Sequence, residues 1–403
     1  MTGVFSFADT RYLPPLAFAT ADPRCLFWLA AAALAQAQTD ATAAVAVDLL
    51  KPHHTAKGFQ NNYIGTVNKG VGELIRWQIE RREQGLPRAP YAPSPTQPPD
   101  LQRVSRYKTE FARQSRTSPT ITWIGHASLL VQAGGLDILT DPVFSRRASP
   151  IQLIGPVRAQ PPGIAIAIAI ADLPPIDVVV ISRNHYDHLD RQSVLDIAQR
   201  SAATPTRTLF LVPLGMKSGF TDLGLTNTRE MDWWDTLTER GVTFTFTPTQ
   251  HWSARGMGDR SQTLWGAWAV TAPDLHWYFA GDTGNSKDFA DTAARFAGQH
   301  TPAQGGGFDL ALIPLGAYQP RWFLAEQHVN PEEAVQMHLD LLAKRSVGIH
   351  WGTFALSDES LDQPPKDLAA ARAAKNIAAD DFSVMAIGET RILPPRPQPK
   401  KAP

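Results

Sequence analysis

The feature that most constrains this chain is a series of short apolar runs, several of which close on a histidine or an aspartate. "TITWIG", "SLLVQA", "LDILTDP", "IDVVVIS", "TLFLVP", "VTFTFTP", "LWGAWAV", "HWYFAG", "DLALIPL" and "SVGIHW" follow one another between Thr120 and Trp351. Their β-branched and aromatic content predicts strands, with Gly134-Gly135 as the turn between the second and third. Helical patterns fall between them. Asp190 is placed to cap a helix reaching about Arg200. Asn330 is placed to cap the run "NPEEAVQMHLDLLAK", with Pro331 first and Glu332 and Glu333 at its positive end. A further helix is expected from Val71 to Gln84. The result is an α/β layered chain with mixed strands, not a strict βαβ repeat. With 403 residues, 43% hydrophobic and 19% charged, it can bury a sizeable core. Lys+Arg and Asp+Glu are both 38, so bulk charge gives no reason to expect nucleic acid as a partner.

Strand ends of one layered sheet converge on one rim, so residues far apart in sequence can meet there. The candidates are His126 after "TITWIG", the cluster His185-x-Asp187-His188 after "IDVVVIS", His251 after "VTFTFTP", Asp282 after "HWYFAG", and His350 in "SVGIHW". Neutral imidazoles and carboxylates together suit zinc or a similar divalent ion. The single cysteine, Cys25, excludes both an intrachain disulfide and a thiolate cluster. One position breaks the pattern: Arg183 stands where the spacing asks for another histidine. A guanidinium has no lone pair to give a metal and stays protonated. Within about 4 Å of a dication it repels it by several kcal/mol at an intermediate dielectric.

"KPHHTAKGFQNNY", "TWIGHASLLVQ", "LTDPVFSRRASP", "NHYDHLD", "TQHW", "FAGDTG", "IPLGAYQPRWF", "QHVNPEEAV" and "IHWGTFALSDE" occur in that order from Lys51 onward. In these runs the chain resembles the metallo-β-lactamase superfamily, and most closely its N-acylphosphatidylethanolamine-hydrolysing phospholipase D branch. The resemblance implies a four-layer αβ/βα sandwich with the site on the rim between two sheets. It implies a first metal at Arg183, His185, His251 and Asp282, and a second at Asp187, His188, Asp282 and His350. The second set is whole; the first has exchanged a histidine for a cation. Three readings follow: one Zn2+ at the second site with Arg183 as an anion clamp, two ions with a weakened first site, or a protein that no longer catalyses. By the same resemblance Asp187 orients water, and Arg183, Gln327 and His328 contact substrate, with His328 binding phosphate or protonating a leaving group. His126 is expected to buttress the ligands. His53 and His54 are expected to be structural, and His276, His300 and His338 to lie on the surface or on helices. Asn285 stands where the family has tyrosine. The implied substrate is a phosphodiester of a lipid head group. A lactone or other ester, or a metal-binding protein without activity, is the alternative.

The flanks divide the chain into a signal-like segment (1–37), an extension with a Pro-rich arm at 86–100 (38–116), and the hydrolase domain (117–395), whose core is expected to begin near Thr117. "RCLFWLAAAALAQAQ" has the outline of a secretory signal cut after Ala37, which implies a periplasmic or membrane-associated protein. An Ala-rich helix of a cytoplasmic protein is the other reading. Trp252, Trp265, Trp322 and Phe323 either line an acyl groove or belong to the core. Peripheral membrane contact and an oligomer are compatible with this reading. "IAIAIAIA" at 164–171 is a low-complexity duplication, placed in a loop or as an edge strand.

Overall fold

The computed structural model describes residues 50–86, 94–114, 117–159, 169–204, 207–256 and 258–397. The signal-like segment and most of the Ile-Ala repeat lie outside these residues. Apart from the two-stranded hairpin His54–Thr55 and Gly58–Phe59, the strands among the described residues form two seven-stranded sheets. The first runs in the order Thr390–Ile392, Thr120–Gly125, Ser128–Ala133, Leu136–Thr140, Val178–Val180, Leu209–Pro213, Thr228–Met231. The second runs Phe382–Val384, Ser346–Ile349, Leu310–Pro314, His276–Phe279, Ala267–Thr271, Val242–Thr247, Thr236–Glu239. Each sheet is half antiparallel meander and half parallel. Antiparallel steps taken in pairs restore direction. Thr120–Gly125, Leu136–Thr140 and Val178–Val180 therefore all end at one rim of their sheet, as do Val242–Thr247, His276–Phe279, Leu310–Pro314 and Ser346–Ile349 of theirs.

The first sheet is apolar on both faces, and strand periodicity divides its residues between two cores. Val178, Val180, Leu209 and Leu211 point into the large core shared with Phe244, Phe246, Trp268 and Trp277 of the second sheet. Val179, Ile181, Phe210 and Val212 point the other way, onto Val194 and Ile197 of the helix Arg191–Ala202. Gly134 and Gly135 take φ of 58° and 80°, the doubly positive turn that two strands joined by two residues require. Asn330 caps the helix Pro331–Asp340 as expected: its side chain accepts from the Glu333 amide while Glu333 accepts from the Asn330 amide. That helix ends at Asp340, short of Lys344, as Leu342 turns to a φ of 52°. Asp190 sits at the N-cap of Arg191–Ala202, but its carboxylate bonds the Ser145 amide and the Ser193 hydroxyl instead of the helix amides.

The core takes in residues well ahead of Thr117. Phe59 belongs to the large core, and Lys51, His53 and His54 all bond Asp232. The Pro-rich arm is pinned where it is described: Ser94 bonds the Gly352 carbonyl, and Pro95 and Gln97 exchange backbone hydrogen bonds with Ile387. The expected helix at 71–84 is observed as Val71–Glu83. A second helix, Leu101–Gln114, escaped the sequence reading because its face is largely polar and only Val104 and Tyr107 are buried. His276 is half-buried and not on a helix: it opens a central strand, and its Nδ1 lies 3.1 Å from His300 Nε2. Among the described residues, no helix is long and apolar enough to cross a membrane.

Candidate metal centre

The rim shared by the two sheets gathers the strand-end residues. His126 follows Thr120–Gly125, the turn from Arg183 to His188 follows Val178–Val180, and His251, Asp282 and His350 follow three strands of the second sheet. His328 comes from the loop before the helix Pro331–Asp340. The two loops that carry Arg183 and Asp282 meet at Gly281, whose φ is +60°. A Cβ there would lie 2.6 Å from Ser182 Cβ, so only glycine lets Asp282 approach this closely. His126, Asp141 and His350 also hold positive φ, at 54°, 30° and 60°. Such backbone is uncommon away from glycine and concentrates at sites where geometry is imposed.

Four of these residues converge. His188 Nε2 lies 3.4 Å from both Asp187 Oδ2 and Asp282 Oδ2. His350 Nε2 lies 3.4 Å from Asp187 Oδ2 and 3.1 Å from Asp282 Oδ1. The rest of the shell fixes their orientation. His188 Nδ1 is 2.6 Å from Asp141 Oδ2, and Asp141 also accepts from the Ser182 amide at 2.7 Å. His126 Nε2 is 3.0 Å from Asp187 Oδ2. Burial first, then its imidazole neighbours, push His126 down to about 3, so it donates to Asp187 as a neutral ring. A carboxylate behind a histidine fixes the tautomer that leaves the opposite nitrogen free for a metal.

The other side of Asp282 is arranged differently. His251 Nδ1 is 2.7 Å from the Gln327 carbonyl, which leaves its Nε2 buried with no partner; His185 Nε2 is buried and unpartnered too. Arg183 lies against Asp282, with its Nη2 on Oδ2 and 3.8 Å from Asp187 Oδ2. Its Nε and Nη1 are buried without partners. Electrostatics separate the two sides. Burial and Arg183 oppose charge on His188, but Asp282, Asp187 and Asp141 outweigh them and hold it well above the usual histidine range. Burial and then Arg183 hold His185 and His251 well below it. Burial pushes Asp282 up, but Arg183, His350 and His188 outweigh it and keep the carboxyl well below the usual range.

These residues fit a divalent ion on the side of Asp187, His188, Asp282 and His350. Two carboxylates face two imidazoles whose Nε2 atoms are buried and make no hydrogen bond, a cost that a cation removes. The remaining candidates take their places around this group. His328 Nδ1 lies 3.6 Å from Asp282 Oδ2. The Gln327 side chain accepts from Trp252, and its main chain holds His251. Trp265 is core, and Trp322 is partly exposed, with its indole on Glu80. Sequence reading missed Asp141. Its signal was present, since "LTDP" follows a strand to the same rim.

Two sheets with this rim define a metal-dependent hydrolase of the β-lactamase fold. Residues 137–351 match the beta-lactamase superfamily domain. The chain is 38% identical over 255 residues to an N-acyl-phosphatidylethanolamine-hydrolyzing phospholipase D of Caenorhabditis elegans, covering 61% of this chain and 67% of that one. An uncharacterised protein of Mycobacterium tuberculosis is 35% identical over 340 residues, 82% of either chain. The structure of a possible metal-dependent hydrolase of Veillonella parvula superposes with a TM-score of 0.54 at 18% identity, over 69% of this chain and all of that one, and shares the fold. The chain belongs to the metallo-β-lactamase superfamily, in its N-acylphosphatidylethanolamine-hydrolysing phospholipase D-like branch.

Proposed function

We propose that this hydrolase is a phosphodiesterase of the phospholipase D type, acting on N-acyl phosphatidylethanolamine-type lipids with one tightly held ion. The observation that carries the proposal is Arg183: a buried, permanent cation beside the four-residue cluster, with Nε and Nη1 unpartnered. Those free N–H groups suit anionic oxygens of a phosphodiester, to which a guanidinium makes charge-assisted hydrogen bonds. An uncharged lactone offers them no such charge. The 38% identity to the Caenorhabditis elegans phospholipase supports the same substrate class.

Asp187, His188, Asp282 and His350 would hold the ion, and zinc suits this donor set. When bound, it supplies Lewis-acid polarisation and brings the pKa of water toward neutrality. The chain's own residues do the rest. Asp187, steadied by His126, orients the attacking water. Asp141 keeps the His188 ring turned with Nε2 toward the site. Arg183 holds the phosphate as water adds to phosphorus and the bond to the head-group alcohol breaks. His328, whose Nδ1 lies 3.6 Å from Asp282 Oδ2, binds a phosphate oxygen or passes a proton to the departing head-group alkoxide. Val71, Leu74, Ile75 and Ile79 are exposed on one face of their helix, with Trp322 alongside. That surface suits peripheral contact with a lipid interface, and a periplasmic or membrane-associated location belongs to the same proposal.

The test is hydrolysis of an N-acyl phosphatidylethanolamine in mixed micelles, followed by mass spectrometry of both products. Equal release of N-acylethanolamine and phosphatidic acid, abolished by chelator and restored by zinc, is expected. Turnover of lactones alone, or metal content without any hydrolysis, overturns the reading.

A further inference from the structure

A loop at the metal rim presents apolar side chains to solvent. It runs from Ser145 to Val157, between the strands Leu136–Thr140 and Val178–Val180. Leu153 is 69% exposed, and Ile154 and Val157 are exposed as well. The loop has a defined internal structure. Arg147 pairs with Val157 across it, and Arg147 Nη1 donates to the Gly155 carbonyl at 2.6 Å. The Gln152 side chain accepts from the Arg147 amide and donates to the Arg147 carbonyl. A single exposed leucine is ordinary, but three apolar side chains gathered on a loop held this firmly form a patch that asks for a partner.

The charge around the patch has one sign. No aspartate or glutamate occurs from Pro142 to Ala171, while Arg146, Arg147 and Arg158 do. Arg158 is buried and donates to the Val143 carbonyl. Among the described residues, Arg146 and Arg147 pair with no carboxylate. Nor does Arg191, which lines the cavity at the foot of the loop together with Ser149 and Gln152. The carboxylate of that cavity, Asp190, already accepts from the Ser145 amide and the Ser193 hydroxyl. Both ends of the loop are tied to the metal rim. Asp141, just ahead of it, holds His188. Arg158, just after it, pairs with Phe354, and the Ala159 amide donates to the Thr353 carbonyl. A little further along that same stretch, Asp358 accepts from Trp77 of the helix Val71–Glu83. The exposed apolar faces of helix and loop are therefore fastened to one segment, the chain that follows His350.

We infer that this loop docks the protein onto an anionic lipid surface. Leu153, Ile154 and Val157 enter the hydrocarbon boundary, and Arg146, Arg147 and Arg191 meet phosphates at head-group level. The choice of partner rests on the proposed substrate. N-acylation turns the ethanolamine ammonium into a neutral amide, so the phosphate charge is left unbalanced and the substrate's own surface is anionic. Apolar insertion and basic attraction are the two signals that together hold a protein at such a surface.

The probes are vesicles that contain no substrate: phosphatidylcholine alone, and phosphatidylcholine with an equal amount of phosphatidylglycerol. Binding of the full-length protein is read by co-sedimentation. We expect binding to the mixed vesicles, and binding at least about tenfold weaker to phosphatidylcholine alone. Leu153→Ser combined with Ile154→Ser should weaken binding to the mixed vesicles about tenfold or more. Arg146→Gln should weaken it about fivefold and lower its salt dependence. Metal content and unfolding midpoint of both variants should match the wild type. Wild-type binding by the Leu153→Ser, Ile154→Ser variant, equal binding to the two kinds of vesicle, or no binding to either would each overturn the inference. So would a loss of binding confined to Ile75→Ser with Ile79→Ser, which would assign the contact to the helix alone. A concentration-dependent dimer abolished by Leu153→Ser with Ile154→Ser would overturn it too, because the loop would then meet a second copy of the chain. Since the vesicles hold nothing to hydrolyse, these outcomes stand apart from any result with phosphodiesters.

Discussion

The two sides of Asp282 invite comparison. On one, His188 and His350 face Asp187 and Asp282 within 3.4 Å, and the carboxylates draw positive charge onto the rings. On the other, His251 is equally buried and equally well oriented and His185 is half-buried, yet burial and Arg183 drive charge away from them. The ligands on the second side are not degraded. What differs is that a guanidinium lies on Asp282 there. Under the proposed function, the difference teaches that a cation on the chain can stand in electrostatically for a metal: one side takes its cation from solution, while the other carries its own.

The largest effect that would break this comparison comes from the residue both sides share. Asp282→Ala removes a carboxylate contacted by Arg183, His188 and His350 and near His328. We expect metal content near zero by inductively coupled plasma mass spectrometry, and kcat/KM lower by at least about 10³, or about 4 kcal/mol. Circular dichroism should be unchanged. Retained metal would mean that Asp282 is not the shared ligand. Arg183→His inverts the difference between the sides. It returns an imidazole to the side of His185 and His251, and tightly held metal should rise from about one ion per chain to about two. Two ions in the wild-type protein would overturn the account of Arg183 given above.

How much of this was legible in sequence depended on how far each residue's partner lay from it. The strand-end histidines and aspartates were legible because a period-two apolar run announces its own end, and such ends share a rim. The fold followed from the same runs. Edge strands such as Thr228–Met231 and Thr236–Glu239 were not legible, because one side of an edge faces solvent and their residues mix polar with apolar. Nor was the integration of the extension. His53 meets Asp232 from 179 residues away, and nothing local to "PHHT" points there. Asp141 was within reach, since it follows "LDILT" as Asp282 follows "HWYF", but a lone aspartate before proline reads as a turn residue. Arg183 could be seen as a departure; that it rests on Asp282 needed the third dimension.

A smaller effect is expected one layer out. Asp141→Asn keeps the shape behind His188 but removes the charge 2.6 Å from its Nδ1. Metal affinity measured by competition with a chelator should fall about 10–100-fold, with the wild-type value recovered by Asp141→Glu only in part. No change would show that the Ser182 contacts alone hold the ring.

The smallest expected effect on the metal comes from the extension's own histidine cluster, and it separates an oriented ligand from a clamp. His53, His54 and Lys51 surround Asp232 at 2.7, 2.9 and 2.6 Å. Unlike Nε2 of His188 and His350 at the rim, both imidazole Nε2 atoms here already hydrogen-bond a carboxylate oxygen, and a lysine ammonium contacts the same carboxylate. Asp232→Asn should leave metal content unchanged while costing about 1–3 kcal/mol of stability, read from denaturant midpoints. Burial pushes the Asp232 carboxyl up, but its hydrogen bonds from His53 and Lys51 outweigh that and hold it well below the usual range. A folded-state pKa below the unfolded value means that the carboxylate stabilises fully above about pH 4 and loses its contribution as pH falls further. The stability gap between wild type and Asp232→Asn should therefore be constant from pH 5 to 7 and close on acidification below about pH 4. A gap that opened instead, or a loss of metal in the variant, would show that the extension's histidines belong with the ligands at the rim.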